Sequence, residues 1–219
     1  MKIKAAIFDM DGTLIDSLIF WDFLWTTLGE RYLGDGSFRP RKEDDKKVRT
    51  MILSDAMELI HDGYGFGESG EELLQMTNGL LYDFYENRVE MKPGVREFLD
   101  HCLEQGVKMC VASATDGEFL KLAIKRCGLE KYFLRVFSCS SIGKGKEEPD
   151  IFLMAQEFLG GGREETWVFE DSLTAIRTAD SVGMPTVGIY DACNFGQEEI
   201  RAIAKFYIAE GESLMKLVP

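Results

Sequence analysis

Apolar strand-like runs recur along the chain at residues 5–8, 107–112, 136–138, 167–169 and 185–189, and each reads as a short strand. From residue 93 onward they alternate with amphipathic segments of helical period at 94–105, 117–127, 150–160, 173–182 and 197–204. Such alternation predicts a parallel sheet with helices on both faces. Residues 206–208 form a candidate sixth strand. Residues 18–90 break the alternation. They show no strand pattern, helical patterns at 18–33, 44–62 and 71–88, and a loop rich in Gly and charge at 34–47. Met91-Lys92-Pro93-Gly94 marks the return, with Pro93 suited to a helix start. The pattern predicts an α/β core domain of residues 1–16 and 92–219, interrupted by a helical domain of residues 17–91. Gly65-Phe-Gly67-Glu-Ser-Gly70 matches G-x-G-x-x-G but follows a helical segment, so the strand–turn–helix context of a dinucleotide site is missing.

At 219 residues, with 45% hydrophobic and 29% charged positions, the chain can bury a sizeable core without disulfides. Its net charge of −13 argues against nucleic acid and anionic membrane surfaces as partners. The same field opposes an anionic substrate, but a local cation reverses it inside a cleft, and salt screens the rest beyond roughly 8–10 Å. Five cysteines without a Cys-x-x-Cys pair, and only two histidines, argue against a zinc site. The odd cysteine count suits a reducing compartment. The first strand starts too early for a signal peptide, and no apolar run approaches the ~18 residues of a membrane span. The expected location is cytoplasmic. Nothing in the sequence sets an oligomeric state.

Candidate chemistry gathers where the strands end. The first strand stops at Asp9, and Asp11 follows before Gly12 turns the backbone. Paired carboxylates at the carboxyl end of a parallel-type strand sit where open α/β sheets bind ligands, and a hard cation offsets their repulsion. A turn after the strand accounts for the same residues. The second strand runs into Ser113, whose hydroxyl, with the backbone amides from Ala114 onward, makes a phosphate seat or a helix cap. Lys146 stands just before a Pro-started helix and can aim an ammonium at the sheet end. Trp167-Val-Phe-Glu170-Asp171-Ser172 again ends an apolar strand in carboxylates. Acid pairs at two strand ends give an oxygen-rich site suited to Mg²⁺, although Glu170, Asp171 and Ser172 also suit a helix N-terminus.

In order and spacing these four clusters resemble the motifs of the haloacid dehalogenase superfamily, closest to its beta-phosphoglucomutase and phosphoglycolate phosphatase branch. The third reads Lys-Pro-x-Pro-Asp in the family, and Glu147 stands here where Pro is frequent. Distance from Pro149-Asp150 selects Lys146 over Lys144. The fourth continues into Ala179-Asp-Ser-Val-Gly183-Met184, close to the family's Ala-Gly-Met. The resemblance implies a Rossmann-like parallel sheet with an inserted α-helical cap of the C1 type. It implies a Mg²⁺-dependent phosphatase of a small phosphate ester, working through an aspartyl-phosphate. Asp9 would be the nucleophile and Asp11 the acid and base, with its pKa raised by burial. Ser113, Ala114 and Lys146 would bind phosphate. Asp9, Asp11 (through its carbonyl), Glu170 and Asp171 would surround the metal.

The retained Asp11 argues against dehalogenase activity, because true dehalogenases lack this second acid. A hexose-phosphate mutase is the alternative, although Trp21 stands where the mutase branch commonly has His. A non-catalytic binding protein on the same fold is disfavoured by the intact acidic and lysine positions. Phe20, Trp21, Phe23 and Trp25 read as cap core, with an aromatic substrate wall as the second reading. Arg49, His61, Arg88 and Lys92 read as solvated surface.

Overall fold

The computed structural model describes residues 3–49 and 51–218. Six strands form one parallel sheet: β1 (Ala5–Phe8), β2 (Lys108–Ser113), β3 (Val136–Ser138), β4 (Thr166–Glu170), β5 (Thr186–Ile189) and β6 (Phe206–Ile208). Their order is β3-β2-β1-β4-β5-β6, with Phe8 opposite both Val111 and Phe169. The 206–208 run is therefore one edge strand and β3 the other. The order reverses between β1 and β4, and there an open parallel sheet leaves a crevice beyond its strand ends.

The chain divides into two compact units, residues 1–17 with 89–219, and 18–88. In the first, Ala5 and Ile7 of β1 join a buried cluster with Cys110, Val168 and residues of two helices. These helices are Asp150–Leu159 and Leu173–Ser181. Phe8 faces the other way. Its ring stacks on Phe169 at 4.4 Å and meets Phe98, from the helix Val95–Glu104, at 6.3 Å. Helices thus cover both faces of β1, which is why its run lacks polar interruption.

The second unit is helical: α1 (Phe20–Leu33), α2 (Lys42–Val48), α3 (Leu53–Tyr64) and α4 (Gly70–Asp83), the last running into a π-type turn at Phe84–Arg88. The structure corrects two expectations here. The region 34–47 is not all loop, and 44–62 is not one helix. Glu43, Asp44 and Asp45 occupy the first turn of α2, and Lys46 and Lys47 the last, so the charge run matches the helix dipole. α2 ends at Val48; within it Asp45 accepts bonds from Trp25 Nε1 (2.8 Å) and Arg49 Nε (3.0 Å), and Ile52 is extended before α3 begins. Gly65 caps α3 at φ 68°, so the G-x-G-x-x-G stretch is a helix–helix turn. Among the described residues no helix is long and apolar enough to cross a membrane.

Candidate active site

The Asp9 amide continues the β1–β4 ladder, donating to the Phe169 carbonyl at 2.9 Å, so the carboxylate leaves the sheet just beyond β1. The chain then closes a tight loop in which the Leu14 and Ile15 amides both return to the Met10 carbonyl. Gly12, at φ 77°, supplies the turn, a conformation that side-chain-bearing residues resist. The loop places Asp11 between two hydroxyls. Ser17 donates to its Oδ1 at 2.7 Å and Ser113, the last residue of β2, reaches its Oδ2 at 3.4 Å. Ser113 in turn accepts the Thr115 amide at 3.1 Å, and Ala114 is exposed beside it.

Lys146 crosses from the loop before the Asp150–Leu159 helix to the end of β1. Its ammonium bonds Asp9 Oδ1 and, at 2.5 Å, Glu170 Oε1. The other Glu170 oxygen accepts the amides of Asp171 (3.0 Å) and Ser172 (2.9 Å) at the start of the Leu173–Ser181 helix. Lys144, the sequence alternative, stays exposed and pairs with Glu148 and Asp150.

Asp9, Glu170 and Asp171 are buried and each offers a carboxylate oxygen within 4.8 Å of the others. The Asp11 carboxylate lies outside that group. Three carboxylates thus meet one ammonium. Burial pushes Asp9 up to about 8; the Lys146 charge opposes the rise, and Glu170 and Asp11 add to it. Burial, then the Glu170 and Asp9 charges, hold the Asp171 carboxyl well above the usual range. Burial works against the Lys146 ammonium, but the Asp9 and Glu170 carboxylates outweigh it and raise its pKa. A dry, oxygen-only donor set with surplus negative charge fits a hard divalent cation such as Mg²⁺.

A model of haloacid dehalogenase-like hydrolases matches residues 3–183. The chain belongs to that family. Among proteins similar to this hydrolase is the phosphorylated carbohydrates phosphatase of Thermotoga maritima, 25% identical over 97% of each chain. Another is the beta-phosphoglucomutase of Mycobacterium bovis, 25% identical over 80% of this chain and 76% of that one. CbbY from Rhodobacter sphaeroides, solved in complex with phosphate, shares the fold with a TM-score of 0.73. It is 19% identical over 94% of this chain and 93% of its own. The family and its phosphatase relatives put this chain among the phosphoric monoester hydrolases.

Several groups in this haloacid dehalogenase-like hydrolase lie beyond the sequence reading. Asn194 donates its side-chain amide to Asp171 Oδ2 and, at 3.3 Å, to the Asp171 carbonyl. Thr13 donates to Asp171 Oδ1 at 3.2 Å. Lys92 is not solvated surface: its ammonium meets buried Asp191 at 2.7 Å and the Tyr190 carbonyl at 3.0 Å. The faint signal was the turn-forming string Asp191-Ala-Cys-Asn194-Phe-Gly196 after an apolar strand. Within the helical unit, Phe20 and Trp25 are buried. Trp21 and Phe23 are half-buried, with the guanidinium groups of Arg49 and Arg88 over their rings at 5.8 and 4.8 Å.

Proposed function

We propose that this phosphoric monoester hydrolase releases phosphate from a small phosphorylated metabolite through an aspartyl-phosphate on Asp9. The observation carrying the reading is the buried Asp9–Lys146–Glu170 arrangement beside Asp171 at the switch point of the sheet. An Asp9 oxygen attacks phosphorus in line, forming the acyl–phosphate bond as the ester P–O bond breaks. Asp11 gives its proton to the departing alkoxide. It then takes a proton from water, whose oxygen attacks the phospho-enzyme, releasing inorganic phosphate and restoring Asp9. Lys146, the Ser113 hydroxyl and the Ala114 amide hold the phosphoryl oxygens as charge spreads over them. Asp9, Asp171 and Glu170, with the Asp11 carbonyl, are the residues that would hold Mg²⁺, which supplies positive charge against the phosphoryl oxygens. Residues 18–88 serve as the cap that excludes water.

The test is phosphate release from a panel of sugar phosphates, phosphoglycolate, nucleotides and an aryl phosphate, with Mg²⁺ or chelator, against Asp9→Asn. Expected is Mg²⁺-dependent release that falls by about 10³ or more in the variant. An Asp9→Asn enzyme keeping most of its rate refutes the assignment. A sugar phosphate isomerised without phosphate release favours the mutase reading, which the Mycobacterium bovis relative motivates.

A further inference from the structure

Resting on the metal site just proposed, we infer that Asn194 is a positioning residue that aims the Asp171 carboxylate at the cation. Asp9 and Glu170 are both held by Lys146, whose ammonium takes one carboxylate oxygen of each. Asp171 is held differently. Its Oδ1 accepts from the Thr13 hydroxyl and its Oδ2 from Asn194. Both donors are neutral. They fix the plane of the carboxylate without cancelling its charge, whereas a Lys or Arg in either place would compete with the metal for it. Asp171 is therefore held in one orientation by two partners that leave its charge to the cation. Ligands fixed by outer partners in this way bind metal more tightly because less ordering remains to be done.

The orientation of the Asn194 amide follows from its surroundings. The atoms it faces, Asp171 Oδ2 and the Asp171 carbonyl oxygen, are both acceptors, so the NH₂ end must point to them. The loop carrying Asn194 is itself pinned. Asp191, at its start, accepts the Cys193 amide at 2.8 Å through Oδ1 and the Lys92 ammonium at 2.7 Å through Oδ2. Gln197 donates to the carbonyls of Asp191 (3.1 Å) and Asn194 (3.3 Å) from the far side. A half-exposed asparagine on an unanchored turn would have no defined bearing on the site; this one is tied at both ends.

The experiment measures Mg²⁺ binding by calorimetry, and the Mg²⁺ dependence of phosphate release, in the wild-type protein, Asn194→Ala, Asn194→Leu and Asp171→Asn. Asn194→Leu keeps the branching of the side chain without its amide, so the pair separates loss of the bond from loosening of the loop. In both Asn194 variants the Mg²⁺ Kd is expected to rise by about tenfold or more. At saturating Mg²⁺ kcat should return to within about threefold of wild type, with KM for the ester unchanged, a split that a general structural defect would not produce. An unchanged Kd in both variants, beside a wild type that binds Mg²⁺ and an Asp171→Asn that does not, overturns this inference alone. A wild type that binds no Mg²⁺ overturns the metal reading and this inference with it.

Discussion

Lys144 and Lys146 stand two positions apart and meet opposite environments. The Lys146 side chain is 9% exposed and bonds two buried carboxylates; that of Lys144 is 43% exposed and pairs with acids of its own loop. In the proposed reaction, removing Lys146 takes away a donor to the transferring phosphoryl group and leaves Asp9 and Glu170 facing each other. Lys146→Ala should lower kcat by about 10²–10³, the usual loss for one such donor, while Lys144→Ala stays within about twofold. Steady-state assays of the two variants decide it; equal effects would sink the assignment. The raised Asp9 carboxyl carries a pH consequence. In the folded, metal-free protein it keeps its proton to about pH 8, and in the unfolded chain it loses it near the ordinary carboxylate value of 3.8. Extra proton binding by the fold in that window means this group's contribution to stability declines as pH rises through it. A cation must displace the same proton, so Mg²⁺ should bind more tightly at about pH 8 than at about pH 6.5. Calorimetry at the two values, finding equal affinity, would contradict the shift. Asp9, Ser113, Glu170 and Asp171 were legible because they stand where apolar runs end, and Lys146 because of its distance from Pro149-Asp150. Asn194 and Lys92 were not, because their partners are set by how separate loops fold back on the sheet, and no local period encodes that.

At the level of elements, the strands and the helices of the core follow from their periodicity, and the boundaries differ by a residue or two where polar side chains finish a strand. Ser113 and Glu170 are such finishing residues, in the strand by their backbone and in the site by their side chains. The helical unit was harder. α2 has little apolar face to reveal it, and what marks it is the order of its charges. Asp45 joins α2 to α1 by accepting the indole N–H of fully buried Trp25. Asp45→Ala leaves that N–H buried without its acceptor. Denaturant unfolding should show a loss of about 1–3 kcal/mol, and a loss under about 0.5 kcal/mol would show that the bond contributes little. Gly12→Ala should also destabilise, by about 1 kcal/mol or more, because an alanine at φ 77° is strained. Its phosphatase rate should fall as well, since the turn carries Asp11 and Thr13. Thermal unfolding and a rate assay read the two effects.

Across the whole molecule, the surplus of 38 acidic over 25 basic residues surrounds a site that takes an anion. In the proposed reaction, approach of the ester is uphill until it nears Lys146 and the cation that the acidic group would hold. Raising ionic strength from about 10 to 150 mM, at saturating Mg²⁺, shortens the range of that repulsion from roughly 30 to 8 Å. kcat/KM should therefore increase modestly with salt, and a steep fall would mean that a local basic surface, not the net charge, governs encounter. The class of fold was legible from the alternation of strands and helices. The order of the strands was not, because it depends on which neighbours each strand finds. The position of β1 also bears on how the chain is made. Its two neighbours come late: Ala5 pairs with Lys108 on one side and Thr166 on the other. A ribosome adding roughly 5–20 residues per second leaves β1 without either flank for several seconds. During synthesis the strand that carries Asp9 emerges before the others and waits for β4 to gain its second neighbour, so a chain stalled before β4 has every helix of residues 18–88 and no active site.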